Sequence, residues 1–271
     1  MERASLLAAP SSNRLYQILD LMTNVMPIGI IFNVSQKIDY FDLMVVLDEH
    51  CTYASKNIDV LMEPALLNFS NCVYSLHTFS SIHQQLQAGN LFYCTVCVPQ
   101  NVIYRKDTVT LHVSCNPYVF KQQVLSYHRV FKREMDKAAQ FLKGAVWYIE
   151  HQIFGLATFM LHQATELTYR AFLTAIGDSV IKTHDLNKLR KHLKRFVPLI
   201  LGAFDEDEVI ETRLLGLLEK AYCDARYHEL YQISFARASR LLEGVKRLQE
   251  RAMFAYNEQV FKWNGSLEIK L

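Results

Sequence analysis

The spacing of hydrophobic residues changes close to residue 117, and this change constrains the fold more than any other feature of the chain. Upstream, short apolar runs alternate with polar turns, which is typical of strands in a small sheet. Downstream, apolar residues recur every three or four positions, which is typical of amphipathic helices. The sequence therefore predicts an α+β domain over residues 1–116, followed by an all-α antiparallel helical bundle over residues 117–271.

The elements of both parts can be placed from these patterns. In the first part, strands are predicted at 27–32, 40–47, 72–79, 91–98 and 102–104, with helices at 13–23 and 81–87. In the second part, helices are predicted at 119–149, 151–176, 184–196, 205–231 and 235–260. Thr183, the acids from Asp205 onward and Ser234 suit the starts of the last three helices.

Composition and charge exclude several classes of protein. With 51% hydrophobic and 21% charged residues, the chain is expected to fold. The net charge of +2 implies no global electrostatic partner, and no sequence-specific DNA readout is expected. No apolar run approaches the roughly 18 residues needed to span a bilayer, and the first residues are too weakly apolar for a signal peptide. We therefore expect a cytoplasmic protein with no membrane association.

The six cysteines show no regular framework. Cys94 and Cys97 form a C-x-x-C pair inside the predicted strand 91–98, where residues three apart point to opposite faces. Such a pair could not easily hold one zinc ion, and no second pair exists. The sequence therefore predicts free, buried structural thiols and no metal at these positions.

Three motifs in the predicted bundle carry a family resemblance. They are Phe159–Tyr169 (FMLHQATELTY), Thr183–Leu186 (THDL) and Leu218–His228 (LEKAYCDARYH). In order and spacing they resemble the motifs of a HEPN domain over roughly residues 118–252. The resemblance implies a helical bundle that dimerises, acting on or binding nucleotides or RNA.

The first part resembles the minimal nucleotidyltransferase that is fused to HEPN bundles in some bacterial proteins. The matching segments are Val73–Phe79 (VYSLHTF), Leu86–Phe92 (LQAGNLF) and Val102–Tyr104. The resemblance implies a nucleotide-binding fold in which carboxylates on neighbouring strands hold Mg²⁺.

The acids of that nucleotidyltransferase family are largely missing here. Asp42 occupies the position of the second acid, whereas Tyr40 stands at the first. Asp39 lies three residues from Asp42 and faces away from it in a regular strand, although a bulge at Tyr40 would bring the two together. Asp39 and Asp42 are thus weak metal candidates, and Mg²⁺ is expected as a cofactor only if this domain is active.

HEPN ribonucleases resemble one another in an Arg followed, after four to six residues, by a His. Arg226 stands at the Arg position, but the nearby histidine is His228, which gives R-x-H. On a helix, positions two apart point about 200° apart. Arg226 and His228 are therefore weak catalytic candidates, as is Asp42, and cleavage would require a histidine from another helix or subunit.

Two groups of residues are candidates for nucleotide or RNA binding. Tyr222, Arg226 and Tyr227 combine a phosphate-binding guanidinium with aromatic rings that can stack a base; alternatively, Arg226 ties the bundle together through a carboxylate such as Glu166 or Asp224. The second group is the basic face of the helix 184–196. Its candidates are Lys188, Lys191 and Arg195, and Arg190 also lies off the apolar stripe. The alternative for this face is a solvated helix surface.

His162 and Glu166 stand four residues apart on one predicted helix, where they could bind metal or join an interior polar network. The network is the favoured interpretation, and His184 is expected to orient the turn before its helix. The resemblance to HEPN proteins implies a non-catalytic nucleotide- or RNA-associated regulatory protein of the toxin–antitoxin type, acting as a homodimer. The alternatives are a metal-independent ribonuclease and a residual nucleotidyltransferase that transfers an adenylyl group.

Overall fold

The computed structural model describes residues 10–34, 40–49, 51, 66, 69, 71–110, 115–177, 183–194, 200, 202–228 and 231–268. The chain divides into two compact units, Met1–Phe120 and Lys121–Leu271. The first is a small mixed sheet with helices, and the second is helical.

The elements of the first unit follow the order predicted from the sequence with one exception. They are α1 (Pro10–Val25), β1 (Ile28–Asn33), β2 (Phe41–Leu47), β3 (Cys72–His77), α2 (Phe79–Gln87), α3 (Leu91–Val96) and β4 (Val102–Arg105). The strands form one sheet in the order β3-β2-β1-β4. Strand β1 is antiparallel to both β2 and β4, whereas β2 and β3 are parallel.

The core of this unit lies against the two central strands. All seven residues of β2 are buried, as are the first five of β1. Phe41, Leu43 and Val45 share one face of β2, where they join a core cluster with Ile18 and Met22 of α1. Burial on both faces explains why the residues of β2 other than Asp42 are all apolar instead of alternating with polar ones.

The prediction of a strand at residues 91–98 is wrong, because most of this segment forms helix α3. The side chain of Asn90 accepts hydrogen bonds from the backbone N–H groups of Phe92 and Tyr93, at 3.0 and 3.5 Å. This cap satisfies donors at the helix start and outweighs the strand preference of the aromatic and β-branched residues that follow. A Gly89 φ of +68° allows the sharp reversal between α2 and α3.

The prediction of free cysteines holds for only part of the set. Cys94 and Cys115 form a disulfide, so the expectation of free thiols is wrong for both. Cys97 is free and fully buried, and burial raises the pKa of its thiol to about 12. Burial, aided by the nearby Asp42 carboxylate, likewise raises the pKa of Cys72 to about 12. These two thiols stay protonated near neutral pH and are poor nucleophiles.

The second unit contains the five predicted helices. They are α4 (Pro117–Glu150), α5 (Phe154–Ala175), α6 (Leu186–Lys194), α7 (Glu208–Tyr227) and α8 (Phe235–Glu268). Asp207 caps α7 by accepting from the N–H groups of Val209 and Ile210, at 2.8 and 3.1 Å. Ser234 caps α8, as predicted, through the N–H of Arg237 at 3.4 Å.

Aromatic side chains form the centre of the bundle. Phe131 of α4 stacks on Tyr256 of α8 with 3.7 Å between ring centroids, and meets Phe172 of α5 edge-on at 6.1 Å. Trp263 contacts the edge of Tyr256 from further along α8. These rings are almost fully buried and fix the relative positions of α4, α5 and α8. Within the described residues, no helix is both long and apolar enough to cross a membrane.

Candidate functional site

A buried carboxylate on α5 organises the main polar cluster of the helical unit. Glu166 is only 6% exposed, and its Oε1 accepts a 2.8 Å hydrogen bond from Nε of Arg170, one turn further along the helix. Nδ1 of His184 lies 3.0 and 3.1 Å from the two carboxylate oxygens. A buried carboxylate requires such partners, because an isolated charge is costly to remove from water.

The same contacts hold the segment before α6 against α5. Arg170 also donates to the backbone carbonyl of Thr183. The N–H of Lys188 donates to Asp185 at 2.9 Å, so Asp185, and not the predicted Thr183, caps α6. Glu166 thus belongs to an interior polar network, as predicted for it together with His162, whereas the orienting role of His184 stays a prediction.

His162 lies beside this cluster, and its ring is uncharged near neutral pH. Burial lowers the pKa of His162 to about 4, although the Glu166 carboxylate opposes the shift from a distance of 4.0 Å. The ring is therefore neutral near pH 7, with Nδ1 placed 3.1 Å from the side-chain amide nitrogen of Gln163. Within the described residues, no group of three His, Cys, Asp or Glu side chains could hold a metal ion.

Tyr222 of α7 connects this cluster to the surface. Its ring stacks on that of His184, with 5.0 Å between centroids and 17° between planes. It also contacts the ring of His162 at 4.8 Å. One turn later on α7, the guanidinium carbon of Arg226 lies 4.3 Å from the centroid of Tyr222. Arg226 and His184 therefore meet on the same tyrosine ring, although 42 residues separate them in the sequence.

Aromatic rings surround the guanidinium of Arg226. Besides Tyr222, its Cζ lies 5.3 Å from the centroid of Phe159 and 4.9 Å from that of Tyr227. Nε donates to the carbonyl of Tyr222 at 2.6 Å, which fixes the plane of the group. Within the described residues, Arg226 pairs with neither of the carboxylates considered from the sequence, Glu166 and Asp224. Arg226 is exposed, and the ring of Tyr227 is 73% exposed.

An open cleft of about 780 Å³ adjoins this surface. Its walls come from the α4–α5 turn, the end of α7 and the residues before α8. The lining residues are Gln152, Ile153, Phe154, Gly155, Leu156, Ala225, Arg226, Tyr227, His228, Tyr231, Gln232 and Ile233. A cleft of this volume is large enough for a nucleotide.

His228 occupies a different position from the one predicted. The argument that Arg226 and His228 diverge assumed that both lie on a helix, but α7 ends at Tyr227 and His228 has extended backbone angles. Both side chains consequently line the same cleft. The His228 ring lies 3.7 Å from the Asp224 carboxylate, and its backbone N–H donates to the Asp224 carbonyl.

The basic face predicted on α6 is only partly available to a ligand. Lys188 pairs with Asp185 at 3.2 Å, and Lys191 is exposed. The prediction that Arg190 belongs to this basic face is wrong, because Arg190 is only 6% exposed and bonds to the buried Glu211. The candidate Arg195 lies outside the described residues.

The acid predicted for the sheet unit has no access to solvent. Asp42 lies on β2 with 0% of its surface exposed, in a strand that is buried along its whole length. Asp39 lies outside the described residues. The first unit thus presents its one described candidate acid inside the fold, where it cannot contact a bound nucleotide in this conformation.

Comparison with known proteins finds a family match within the helical unit. The family model of the HEPN domain matches residues 131–255, which include α5, α6, α7, Glu166, His184 and Arg226. The match leaves the sheet unit outside it, and no curated protein matches the chain. The sequence resemblance to a HEPN domain is therefore confirmed, whereas the resemblance of the sheet unit to a nucleotidyltransferase stays a prediction.

Proposed function

We propose that the HEPN domain binds RNA or a free nucleotide at the surface formed by Tyr222, Arg226 and Tyr227, without cleaving it. The observation that carries this proposal is the exposed guanidinium of Arg226, held among three aromatic rings at the edge of an open cleft. A HEPN domain supports a nucleotide- or RNA-related role at the level of the family.

The contacts of Arg226 suit it to a phosphate group. Its Nε is bonded to the Tyr222 carbonyl, which leaves the outer edge of the guanidinium facing away from the helix. A planar guanidinium can donate two parallel hydrogen bonds to phosphate oxygens. The exposed Tyr227 ring offers a surface on which a base can stack, a contact worth about 1–3 kcal/mol per base.

Replacement of Arg226 tests the proposal directly. We expect Arg226→Ala to weaken binding of a labelled 5-nucleotide RNA and of ATP by about tenfold or more, because a charge-assisted hydrogen bond is lost. Arg226→Lys keeps the charge without the planar fork and should be intermediate. Arg213→Ala is the control, since Arg213 is exposed on the same helix. Equal affinities for the wild type and Arg226→Ala would refute the proposal.

A ribonuclease is the second candidate, and one observation favours it. Arg226 and His228 line the same cleft, and His184 contacts the Tyr222 ring that Arg226 also contacts, so two histidines are candidates despite the short motif spacing. In such a reaction the 2′-oxygen attacks the adjacent phosphorus and the bond to the 5′-oxygen breaks. One group takes the 2′-hydroxyl proton and another protonates the departing 5′-oxygen, a role that suits histidine.

A cleavage assay separates the two functions. Under the binding proposal, the wild type leaves a labelled RNA intact after long incubation in EDTA. Cleavage that is lost in both Arg226→Ala and His184→Ala, and that a 2′-deoxy substitution blocks, would replace the binding function with the ribonuclease. His228→Ala in the same assay identifies which histidine acts.

For the sheet unit we propose a degenerate nucleotidyltransferase-like domain without transfer activity. The support is the family resemblance of its sequence, together with the burial of Asp42. Incubation with labelled ATP and Mg²⁺ should leave both protein and RNA unlabelled. Labelling that disappears in Asp42→Ala would identify an active transferase instead.

The location, oligomeric state and regulatory role of the protein are proposed as well. We propose a homodimer with a regulatory, toxin–antitoxin-like role, supported by the resemblance to HEPN proteins alone, and a cytoplasmic location, which the sequence alone led us to expect. Light scattering coupled to size-exclusion chromatography measures the oligomeric state, and a mass of about 31.5 kDa would mean a monomer.

A further inference from the structure

A second basic surface lies on α4, away from the motifs that identify the family. A shallow, open surface between side chains of this one helix, with a volume of about 470 Å³, is lined by Arg129, Lys132, Arg133, Asp136, Lys137 and Gln140, and we term it the α4 groove. These positions repeat at three- and four-residue intervals and so form one stripe on the helix. The groove extends for about 16 Å along the axis, given a rise of 1.5 Å per residue.

The charge of the α4 groove is positive and exposed. Its four cations face two carboxylates, Asp136 in the groove and Glu134 beside it. Glu134 pairs with both Arg133 and Lys137, at 2.8 and 3.1 Å, but their side chains remain 64% and 55% exposed. Arg129 and Lys132 are also exposed. Because the whole chain carries a net charge of only +2, this stripe is a local concentration of charge.

The position of the groove relates it to the Arg226 surface. Helices α4 and α5 run antiparallel, since Phe131 meets Phe172 while Gly144 approaches Met160. Arg226 contacts Phe159, so its level on α4 lies close to residue 145. Gln140 is the nearer end of the groove, and Arg129 lies about 24 Å from that level along the helix axis. An RNA strand in contact with both surfaces has to cover this axial separation as well as the path around the bundle.

We propose that the α4 groove binds the phosphates of an RNA strand whose other contact is the Arg226 surface. Lysine and arginine spaced along a groove neutralise successive phosphates without reading the bases. The inference rests on the proposed binding function and extends it. A free nucleotide uses the Arg226 surface alone, whereas a longer strand also uses the α4 groove, so affinity increases with RNA length.

The test compares ligand lengths in two surface variants. Arg129→Gln with Lys132→Gln removes two cations from the groove, and Arg213→Gln with Lys220→Gln removes two exposed cations from α7 as the matched control. The ligands are ATP and a labelled 20-nucleotide poly(U), each measured over a range of salt concentrations. Thermal unfolding confirms that both variants remain folded.

We expect the groove variant to bind poly(U) about tenfold more weakly, with ATP affinity unchanged. The slope of log K against log salt should also become shallower by about 1.4, since each phosphate contact on a single strand contributes about 0.7. A groove variant with the affinity and slope of the control would overturn the inference, as would a wild type that binds ATP and poly(U) equally well.

Failure of the proposed function gives a different result. If Arg226→Ala binds ATP and poly(U) normally while the groove variant loses poly(U), the Arg226 proposal fails, and the α4 groove binds RNA without the second contact inferred here. If Arg226→Ala loses both ligands and the groove variant loses neither, the groove inference fails alone.

Discussion

The two units of this chain differ in how their buried polar groups relate to the surface. In the sheet unit, Asp42 is sealed within β2. In the HEPN domain, the buried Glu166 bonds to His184, whose side chain is 60% exposed and which stacks on Tyr222 next to the exposed Arg226. A buried acid is therefore a weak sign of function by itself. It becomes informative where its partners extend to a cleft.

The largest effect is expected at a second buried carboxylate of the bundle, which contacts no described residue of the cleft. Glu211 is 2% exposed, pairs with Arg190 and accepts from the N–H groups of Gly202 and Phe204. Glu211→Ala leaves the two N–H groups without this acceptor and Arg190 with Glu208 and Thr212 as its remaining described partners, and should lower the free energy of unfolding by about 3–5 kcal/mol while RNA affinity of the folded fraction is retained. Urea unfolding followed by circular dichroism measures the change.

The exposed Glu243–Lys246 pair is the control for this measurement. Its partners are 56% and 43% exposed at 2.8 Å, so Glu243→Ala should cost less than about 1 kcal/mol. Similar losses in the two variants would show that burial does not set the strength of these pairs, and the comparison between the units would lose its physical basis.

Protonation of His162 should produce the next largest effect. Its pKa is lowered to about 4, so between pH 6.5 and 4 the unfolded chain binds this proton more readily than the folded chain. The contribution of neutral His162 to the free energy of unfolding is therefore fully present above about pH 6.5. It is lost as the pH decreases, by roughly 3 kcal/mol in total. The groups facing His162 are Glu166, His184 and Arg226.

His162→Gln provides the matched measurement, because glutamine keeps hydrogen-bonding capacity without titrating. The difference in unfolding free energy between pH 7 and pH 5 should be smaller in His162→Gln than in the wild type. An identical pH dependence in both chains would mean that His162 is solvated, contrary to its 1% exposure.

A smaller effect is expected at the start of α3 in the sheet unit. Asn90→Ala removes the side-chain acceptor for Phe92 and Tyr93 and should cost about 1 kcal/mol. Gln100→Ala, at an exposed position in the same unit, should change stability by less than about 0.5 kcal/mol. Equal stability of Asn90→Ala and the wild type would show that tertiary packing alone holds α3 as a helix.

Helix α3 also shows why part of the fold was not predictable from the sequence. The residues LFYCTVCV favour a strand by composition, and the decision depends on the rotamer of Asn90 and the left-handed turn at Gly89. The long helices α4 and α8 were predictable because each repeats one apolar stripe over many turns, and α5 was predictable from the helical length of its apolar segment, which is buried on most sides. A segment as short as α3 contains too few residues for its hydrophobic spacing to distinguish helix from strand, so the capping residue before it decides the structure.

The candidate site was likewise predictable from the sequence only in part. Tyr222, Arg226 and Tyr227 lie within six residues, so one motif identified them as a group. The contact of His184 with Tyr222 joins distant segments, and only the packing of α5 against the turn before α6 creates it. The Glu166–Arg170 pair had a usable signal, since acid and base stand four residues apart on one helix. The position of His228 depended on where α7 ends.

The smallest expected effect tests the comparison between the units most directly. Asp42→Asn is nearly isosteric and lies at a position with no exposed surface, so affinity for poly(U) and ATP should change by less than about twofold. Arg226→Ala, measured beside it, should lose tenfold or more. If Asp42→Asn weakens ATP binding while its circular dichroism spectrum is unchanged, then the sheet unit opens to admit a nucleotide. Asp42 would then belong to a site, and burial in one conformation would be the wrong criterion for separating the two units.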